Sequence, residues 1–240
     1  MIKYILFDLD GTLLPMDQDL FIKDYFTRLS KKLEPHGYDP ETLFGNLWKG
    51  VGAMVMNDGS CMNEDVFWKS FEKSYGEKVH ADKPIFESFY ANEFQETASV
   101  CGKNPKAKAC VDAIKEKGYH VVLATNPLFP SIATESRIRW AGFEPDAFEY
   151  FTTYENARFC KPNLKYYEEV LEHIGARPEE CVMVGNDVEE DMVAEKLGMR
   201  VFLLTDCMIN KHNEDIEKYP HGNFQDLLRW LGDGFLATSL

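Results

Sequence analysis

Two carboxylates stand two positions apart near the start of the chain, directly after a short apolar run. Residues 2–7 read IKYILF and are followed by Asp8 and Asp10. A carboxylate can attack phosphorus to give an aspartyl-phosphate, which divides one difficult displacement into two easier steps. In an extended segment, side chains two residues apart point the same way, so Asp10 can give a proton to the leaving oxygen and later take one from water. We therefore predict that Asp8 is a nucleophile and that Asp10 is the general acid and base.

Three later segments carry polar side chains in comparable places. One pair follows the apolar run at 121–124, a lysine lies in the run CKPN at 160–163, and an acidic loop follows the run at 182–184. Because ligands of parallel sheets bind beyond the carboxyl ends of the strands, these groups should meet Asp8 and Asp10 at one edge. The side chains concerned are Thr125, Asn126, Lys161, Asn186, Asp187 and Asp191.

The types of these side chains suit phosphoryl transfer, which needs positive charge around the transferring group. The Thr125 hydroxyl can bond a phosphoryl oxygen, the Lys161 ammonium can neutralise developing charge, and Asn126 stands beside them as a further substrate-binding group. Neighbouring carboxylates repel each other, and Mg²⁺, which favours carboxylate and carbonyl oxygens, resolves that conflict. Asp8 and the Asp10 carbonyl are the expected metal ligands, together with an acidic group from the later loop.

The patterning of apolar residues predicts the elements that position these groups. Residues 17–98 show four amphipathic helical patterns and no convincing strand, which indicates a small helical bundle. The first pattern is expected to place Leu20, Tyr25, Phe26 and Leu29 on one side. The patterns cover residues 17–37, 40–56, 63–76 and 82–98, the last with Asp82 as its cap and Pro84 in its first turn.

Strand and helix patterns alternate after residue 102. Such alternation with short loops predicts βαβ units and a parallel sheet covered on both faces. The predicted fold class is α/β, a Rossmann-like doubly wound parallel-sheet core of residues 1–14 and 102–240, with a helical bundle inserted at residues 15–101 (the helical insert). Strands are predicted at 2–7, 119–126, 149–154, 181–187 and 200–206, and helices at 104–118, 130–142, 163–175, 188–198 and 223–231.

Composition and charge narrow the classes of partner. The chain has 240 residues, 45% of them hydrophobic, and a formal net charge of −14, which repels nucleic-acid backbones. Its six cysteines are scattered without a C-x-x-C pair, which favours reduced thiols in a cytoplasmic protein. The N-terminal apolar run is too short for a signal peptide, and no stretch is long enough for a membrane span. We expect a cytoplasmic protein with a small phosphorylated substrate and no nucleic-acid or membrane partner.

Taken in order, the motifs resemble those of the haloacid dehalogenase-like hydrolase superfamily, and the resemblance covers the whole α/β part of the chain. It implies an enzyme of the phosphatase type with Mg²⁺ as cofactor. It also implies that the helical insert is a cap domain that closes over the active site and selects the substrate. The matching residues are Asp8-Leu9-Asp10-Gly11-Thr12, Thr125-Asn126, Lys161-Pro162, and Gly185-Asn186-Asp187 with Asp191.

The fourth motif departs from the family's usual pattern, because Asn186 stands where an acid commonly follows the glycine. Either Asn186 supplies a neutral oxygen ligand, or Asp187 turns inward and binds the metal. Charge favours Asp187 as the direct ligand, with Asp191 ordering the groups behind it. The sequence leaves the choice between Asn186 and Asp187 open.

Other functions fit parts of the same pattern. D-x-D-G also opens calcium loops, but those follow a helix, whereas Asp8 follows a strand. The leading hypothesis is Mg²⁺-dependent hydrolysis of a small phosphorylated metabolite through an aspartyl-phosphate. The alternatives are a sugar-phosphate mutase, a phosphonate hydrolase with Lys49 as its Schiff-base lysine, and a phospholigand-binding protein without turnover; a dehalogenase would have no use for Asp10. Trp48 and Lys49 are candidates to face the substrate, and the competing interpretation places them in the bundle core or on the surface.

Overall fold

The computed structural model of the chain describes residues 1–236, so the last four residues of the predicted 102–240 segment lie outside the described residues. Within these described residues, five strands form one sheet in the order β2-β1-β3-β4-β5, and every neighbouring pair is parallel. The chain adds β2 on one side of β1 and β3 on the other, which makes the gap between β1 and β3 a topological switch point. The strands are β1 Tyr4–Phe7, β2 His120–Leu123, β3 Cys181–Gly185, β4 Arg200–Leu204 and β5 His221–Gly222.

Helices cover both faces of the sheet, as alternate side chains of β1 show. Ile5 and Phe7 belong to one apolar cluster, whereas Leu6 belongs to the other. The first cluster includes side chains of α5, α6 and α8, and the second includes side chains of α7 and of the segment after β3. This arrangement confirms the predicted doubly wound α/β fold. The helices are α5 Pro105–Glu116, α6 Ser131–Trp140, α7 Leu164–Ile174 and α8 Phe224–Leu236.

Four α-helices and two 3₁₀ segments make up the helical insert. Asp17 caps α1 by accepting a hydrogen bond from the Leu20 backbone N–H at 3.0 Å. The prediction that Leu20 belongs to the apolar side is wrong, because this side chain is exposed; the buried stripe instead runs through positions 21, 25, 29 and 33. The elements are α1 Gln18–Leu33, the 3₁₀ segment Glu34–His36, α2 Pro40–Val55, α3 Asn63–Tyr75, α4 Lys78–Ala91 and the 3₁₀ segment Glu93–Val100.

The two chain crossings between the insert and the sheet lie side by side. Met16 and Cys101 form an antiparallel bridge, and the Gly102 backbone N–H donates to the Pro15 carbonyl at 2.6 Å. These contacts lie at the predicted boundary of residues 15–101, and the division into two domains stays a prediction. Among the described residues, no helix combines the length and the apolar character that crossing a bilayer requires.

Several predicted elements differ from the structure. The helix predicted at 82–98 begins earlier, at Lys78, and Asp82 accepts a hydrogen bond from the Tyr38 hydroxyl at 2.7 Å instead of capping it. The strand predicted at 149–154 is reduced to one bridge between Phe151 and Leu123. The helix predicted at 188–198 is a 3₁₀ segment, Met192–Leu197, preceded by turns. The two-residue strand β5 was missed because it is too short to show a pattern.

Candidate active site

The register of the sheet brings the predicted polar residues to one edge. Phe7 pairs with Leu123 on one side and with Val184 on the other, so the residues that follow β1, β2 and β3 leave the sheet together. The Asp8 backbone N–H donates to the Val184 carbonyl at 2.9 Å, which fixes the start of the first loop. A single cavity is lined by seven of the eight predicted side chains: Asp8, Asp10, Thr125, Asn126, Asn186, Asp187 and Asp191.

The eighth predicted residue, Lys161, lies buried between two carboxylates. Its Nζ donates to Asp8 Oδ1 at 2.9 Å and to Asp191 Oδ1 at 2.7 Å. Burial opposes its charge, but the Asp191 and Asp8 carboxylates outweigh that effect and raise the pKa of Lys161 well above its usual value. Burial raises the pKa of Asp191 to about 6 even though Lys161 pulls it down. Lys161 therefore stays charged beside the predicted nucleophile.

Asp191 reaches this position because the strand end beneath it carries no side chain. A Cβ at Gly185 would overlap the Asp191 carboxylate. Asp191 Oδ2 also accepts a hydrogen bond from the Asp187 backbone N–H at 3.0 Å, while Asp187 Oδ1 accepts from the backbone N–H groups of Glu189 and Glu190 at 2.8 and 2.9 Å. The Asp187 side chain thus stabilises its own turn, and the Asp191 side chain holds both Lys161 and the loop in position.

Asn186 presents its side-chain oxygen towards Asp8. The Thr12 hydroxyl lies 2.9 Å from Asn186 Oδ1 and 3.2 Å from Asp8 Oδ2. The Asn186 amide nitrogen donates to the Cys207 carbonyl at 2.7 Å, which fixes which end of the amide faces the site. Gly11 has a φ of 83°, and a Cβ there would overlap the Asn186 amide. Glycine at this position therefore permits both the turn and the close approach.

The oxygen atoms around Asp8 are suitable ligands for a hard divalent cation. The described residues contain no ready group of three or more His, Cys, Asp or Glu side chains for a metal, so a fit depends on amide and backbone oxygens as well. The Asn186 side chain supplies such an oxygen. It lies near the Asp8 carboxylate, since the Thr12 hydroxyl is within hydrogen-bond distance of both. Few carboxylates combined with neutral oxygens and water match the coordination that Mg²⁺ prefers. The set at this edge therefore fits Mg²⁺, with Asn186 better aimed than Asp187, whose Oδ1 is engaged by its own turn.

Asp10 has a partner that the sequence did not reveal. The buried Arg137 of α6 donates from Nη1 to Asp10 Oδ2, and its guanidinium lies 4.4 Å above the Phe129 ring. Burial raises the pKa of Asp10, an effect that Arg137 opposes and the Asp8 charge reinforces. Asp10 Oδ1 is buried without a hydrogen-bond partner among the described residues. One oxygen of Asp10 is thus held in place, while the other lacks a protein partner.

Glu190 also faces the cavity, although the sequence did not single it out as a site residue. Its Oε2 accepts a hydrogen bond from Asn126 Nδ2 at 3.0 Å, and Asn126 Oδ1 accepts from the Lys161 backbone N–H at 3.3 Å. Asn126 thereby joins the loops that carry the second, third and fourth motifs. Burial raises the pKa of Glu190 to about 7, and Lys161 counteracts part of that rise.

The raised pKa of Glu190 predicts a pH-dependent stability. A carboxyl group whose pKa is higher in the folded than in the unfolded state stabilises the fold at pH values below its unfolded-state pKa. This contribution is lost as the pH rises through the folded-state pKa. Between pH 5 and pH 8, metal-free Glu190→Gln should therefore lose less unfolding free energy than the wild type, by on the order of 2 kcal/mol. Urea unfolding in EDTA measures this difference. Glu189→Gln, at an exposed neighbour, is the control, and equal losses in Glu190→Gln and the wild type would contradict the assignment.

The helical insert forms the opposite wall of the cavity, which has a volume of about 420 Å³. Trp48 lines the cavity and stays partly exposed. Lys49 does not line it; its Nζ donates to Asn46 Oδ1 at 3.0 Å on the exposed side of α2. Of the two insert residues considered from the sequence, only Trp48 is therefore placed to meet a substrate.

The family model described as haloacid dehalogenase-like hydrolase matches residues 2–198. A glyceraldehyde 3-phosphate phosphatase of Methanothermobacter thermautotrophicus is 29% identical over 115 residues, which cover 48% of this chain and 50% of that protein. The chain thus spans about half the length of this curated relative. A pyrimidine 5'-nucleotidase of Streptococcus pneumoniae is 23% identical over 254 aligned positions, covering 98% of this chain and 97% of that protein.

A solved structure shares the fold over almost the full length. The crystal structure of a 2-haloacid dehalogenase from Pseudomonas syringae superposes with a TM-score of 0.61 at 19% identity, covering 97% of this chain and 99% of that one. At this identity the likeness concerns the fold, including its helical insert.

Proposed function

The chain belongs to the haloacid dehalogenase-like hydrolase family, and from that premise we propose that it is a Mg²⁺-dependent phosphatase of small phosphate monoesters. The observation that carries this proposal is the pairing of two differently held carboxylates. Asp8 is fixed by Lys161 at 2.9 Å, whereas Asp10 is fixed by Arg137 and keeps one oxygen without a protein partner. Relatives named as a phosphatase and a nucleotidase support the same reaction class.

In the first step, the Asp8 carboxylate attacks phosphorus and the bond from phosphorus to the leaving oxygen breaks. Asp10 gives its proton to that oxygen, so the product leaves as an alcohol. The raised pKa of Asp10, caused chiefly by burial, favours the protonated form that this step requires. Lys161 and the Thr125 hydroxyl stabilise the charge on the phosphoryl oxygens.

In the second step, water attacks the phosphorus of the aspartyl-phosphate. Asp10, now ionised, accepts the proton of that water, and the bond from phosphorus to Asp8 breaks to release inorganic phosphate. Arg137 keeps Asp10 oriented through both steps. The enzyme ends with Asp8 ionised and Asp10 protonated, as it began.

Asp8, the Asp10 carbonyl and Asn186 would hold Mg²⁺, with Asp187 and Asp191 ordering the loop around it. When bound, Mg²⁺ supplies positive charge against the phosphoryl oxygens and relieves repulsion between the substrate and the carboxylates. This assignment revises the preference for Asp187 that charge alone suggested. It rests on the Asn186 oxygen sharing the Thr12 hydroxyl with Asp8.

We also infer a reducing, cytoplasmic location. The six free cysteines support this inference, because disulfides are rare in the reducing cytosol. The net charge of −14 supports a small phosphorylated substrate over a nucleic acid. The phosphonate-hydrolase alternative gains no support, since Lys49 lies outside the cavity. A sugar-phosphate mutase would return the phosphoryl group to a sugar, so product analysis with a hexose phosphate distinguishes it from a phosphatase.

The function is tested by release of p-nitrophenol from p-nitrophenyl phosphate. We expect turnover with Mg²⁺, a loss of roughly 100-fold or more after EDTA treatment because the phosphoryl charge is then unshielded, and recovery on adding Mg²⁺ back. The control is circular dichroism in EDTA, which should show an intact fold. Turnover that EDTA leaves unchanged would contradict the Mg²⁺ requirement, and the absence of any turnover would contradict the phosphatase assignment.

A further inference from the structure

Aromatic and aliphatic side chains of the helical insert dominate one wall of the active-site cavity. The cavity extends from Asp8 and Asp10 to Ile22 of α1 and Val51 of α2. Its volume of about 420 Å³ falls within the roughly 300–1,000 Å³ typical of small-molecule sites. All four helices of the insert contribute rings to it, among them Phe26, Trp48, Phe67, Trp68, Phe86 and Tyr90.

Four polar side chains of this wall are paired with each other. Tyr25 Oη lies 2.9 Å from Tyr90 Oη, and Lys83 Nζ donates to Glu64 Oε1 at 3.0 Å. Gln18 also lines the cavity, but it is exposed to solvent. A buried hydroxyl without a hydrogen bond is less stable than in water, so a polyol would find few partners here. The wall therefore favours an apolar group over a sugar.

The charges of the same wall disfavour a second anionic group on the substrate. Among the described residues, the insert contributes Glu64, Lys83 and Glu87 to the cavity lining, and Lys83 is already paired with Glu64. Lys211, the other lining lysine, comes from the core and is exposed. A second phosphate or a carboxylate against the insert would therefore lose its hydration without gaining an unpaired cation.

We propose that the substrate is a phosphate monoester of an uncharged, hydrophobic alcohol, whose hydrocarbon part fills the cavity between α1, α2, α3 and α4. This inference rests on the proposed phosphatase function and adds the chemical class of the leaving group. The phosphoryl end lies at Asp8 and Lys161, and the apolar end contacts the rings of the insert. Burial of the hydrocarbon supplies binding free energy in proportion to the apolar area removed from water.

A chain-length series on the wild-type enzyme tests the proposal. We expect kcat/KM to rise about fourfold for each methylene added from propyl to hexyl phosphate. n-Hexyl phosphate should also exceed sorbitol 6-phosphate, which has the same six-carbon chain bearing hydroxyls, by at least about 100-fold. A kcat/KM that does not change with chain length, or that is higher for the polyol phosphate, would overturn the proposal.

Two matched substitutions on α1 locate the effect in the cavity. Ile22 lines the cavity, whereas Leu20 is exposed and does not line it. Ile22→Lys should lower kcat/KM for hexyl phosphate at least about 10-fold, because it places a charge against the hydrocarbon, and should affect ethyl phosphate less. Leu20→Lys should leave both unchanged. Equal losses on both esters in Ile22→Lys would contradict the proposal.

The series also separates this inference from the proposed function. An enzyme that hydrolyses propyl, hexyl and sorbitol phosphates at similar kcat/KM is a phosphatase without the proposed preference, and only the inference fails. An enzyme that hydrolyses none of them contradicts the proposed function and the inference with it. Because the series uses the wild-type chain, the outcome does not depend on the folding of any variant.

Discussion

Asp8→Asn is expected to lower kcat for p-nitrophenyl phosphate by roughly 10⁴-fold or more, because a neutral amide cannot act as the nucleophile that the carboxylate provides. The substitution keeps the shape of a buried side chain and removes one charge facing Lys161. We expect the folded structure to persist, since Asp191 still pairs with Lys161 at 2.7 Å. Steady-state kinetics with Mg²⁺ and thermal unfolding measure the two effects separately.

Asp146→Asn provides the matched control for this change. Asp146 is exposed and lies in the 3₁₀ segment Pro145–Ala147, on the loop after α6. It makes the same chemical change without touching the cavity, so kcat should stay at the wild-type value. If Asp8→Asn retained more than about one hundredth of wild-type kcat, Asp8 could not be the nucleophile.

Lys161→Met is expected to combine a large loss of activity with a loss of stability. Removing a donor that stabilises transition-state charge costs about 10²–10³ in kcat. The same change leaves the buried carboxylates of Asp8 and Asp191 facing each other without their cation, and breaking a buried pair in this way costs about 3–5 kcal/mol. Kinetics and urea unfolding at neutral pH measure the two losses.

A double substitution separates the two roles of Lys161. In Lys161→Met/Asp191→Asn, one of the unpaired charges is removed, so part of the unfolding free energy should return while kcat stays low. The control is Lys165→Met, at an exposed lysine of α7, which should change neither quantity. A Lys161→Met enzyme with wild-type kcat would show that this lysine is structural only.

The meeting of the polar site residues at one edge of the sheet could be predicted from the sequence, because it depends on local sequence signals. The run before Asp8 and the run at 181–185 are short, apolar and followed at once by acidic or amide side chains. Parallel pairing then requires that residues after adjacent strands share one edge. Thr125 and Asn126 lie at the same edge as Asp8 for the same reason, and predicting this required no assumption about side-chain conformation.

Arg137 and Glu190 could not be predicted in the same way. Arg137 stands on an ordinary helix, and only its placement one turn after the buried Ala133 hints that it faces inward. Its contact with Asp10 crosses more than one hundred positions in sequence, and a helical pattern contains no information on such a pairing. Glu190 was missed because a regular helix was predicted at 188–198, whereas turns and a 3₁₀ segment place its carboxylate beside Asn126.

The helical insert was also predicted only in part: the apolar pattern indicated its helices but not the contacts between their side chains. Four helices were predicted at about the right places. Tyr25 and Leu29 are buried on the apolar side of α1 as predicted, but Leu20 was assigned to that side in place of Phe21. The mutual pairing of Lys83 with Glu64 depends on the packing of α3 against α4. The chemical character of the cavity wall therefore emerges only from the folded chain.

Trapping the covalent intermediate tests the nucleophilic role of Asp8 most directly. Asp10→Asn lacks the base that activates water, but p-nitrophenol leaves without a proton, so the aspartyl-phosphate should accumulate during turnover. Acid quenching followed by borohydride reduces an acyl phosphate to an alcohol, and mass spectrometry of the N-terminal peptide locates it. We expect homoserine at position 8 in an amount that matches the burst of p-nitrophenol. A burst of p-nitrophenol with an unmodified Asp8, or with the reduced residue at another position, would contradict it.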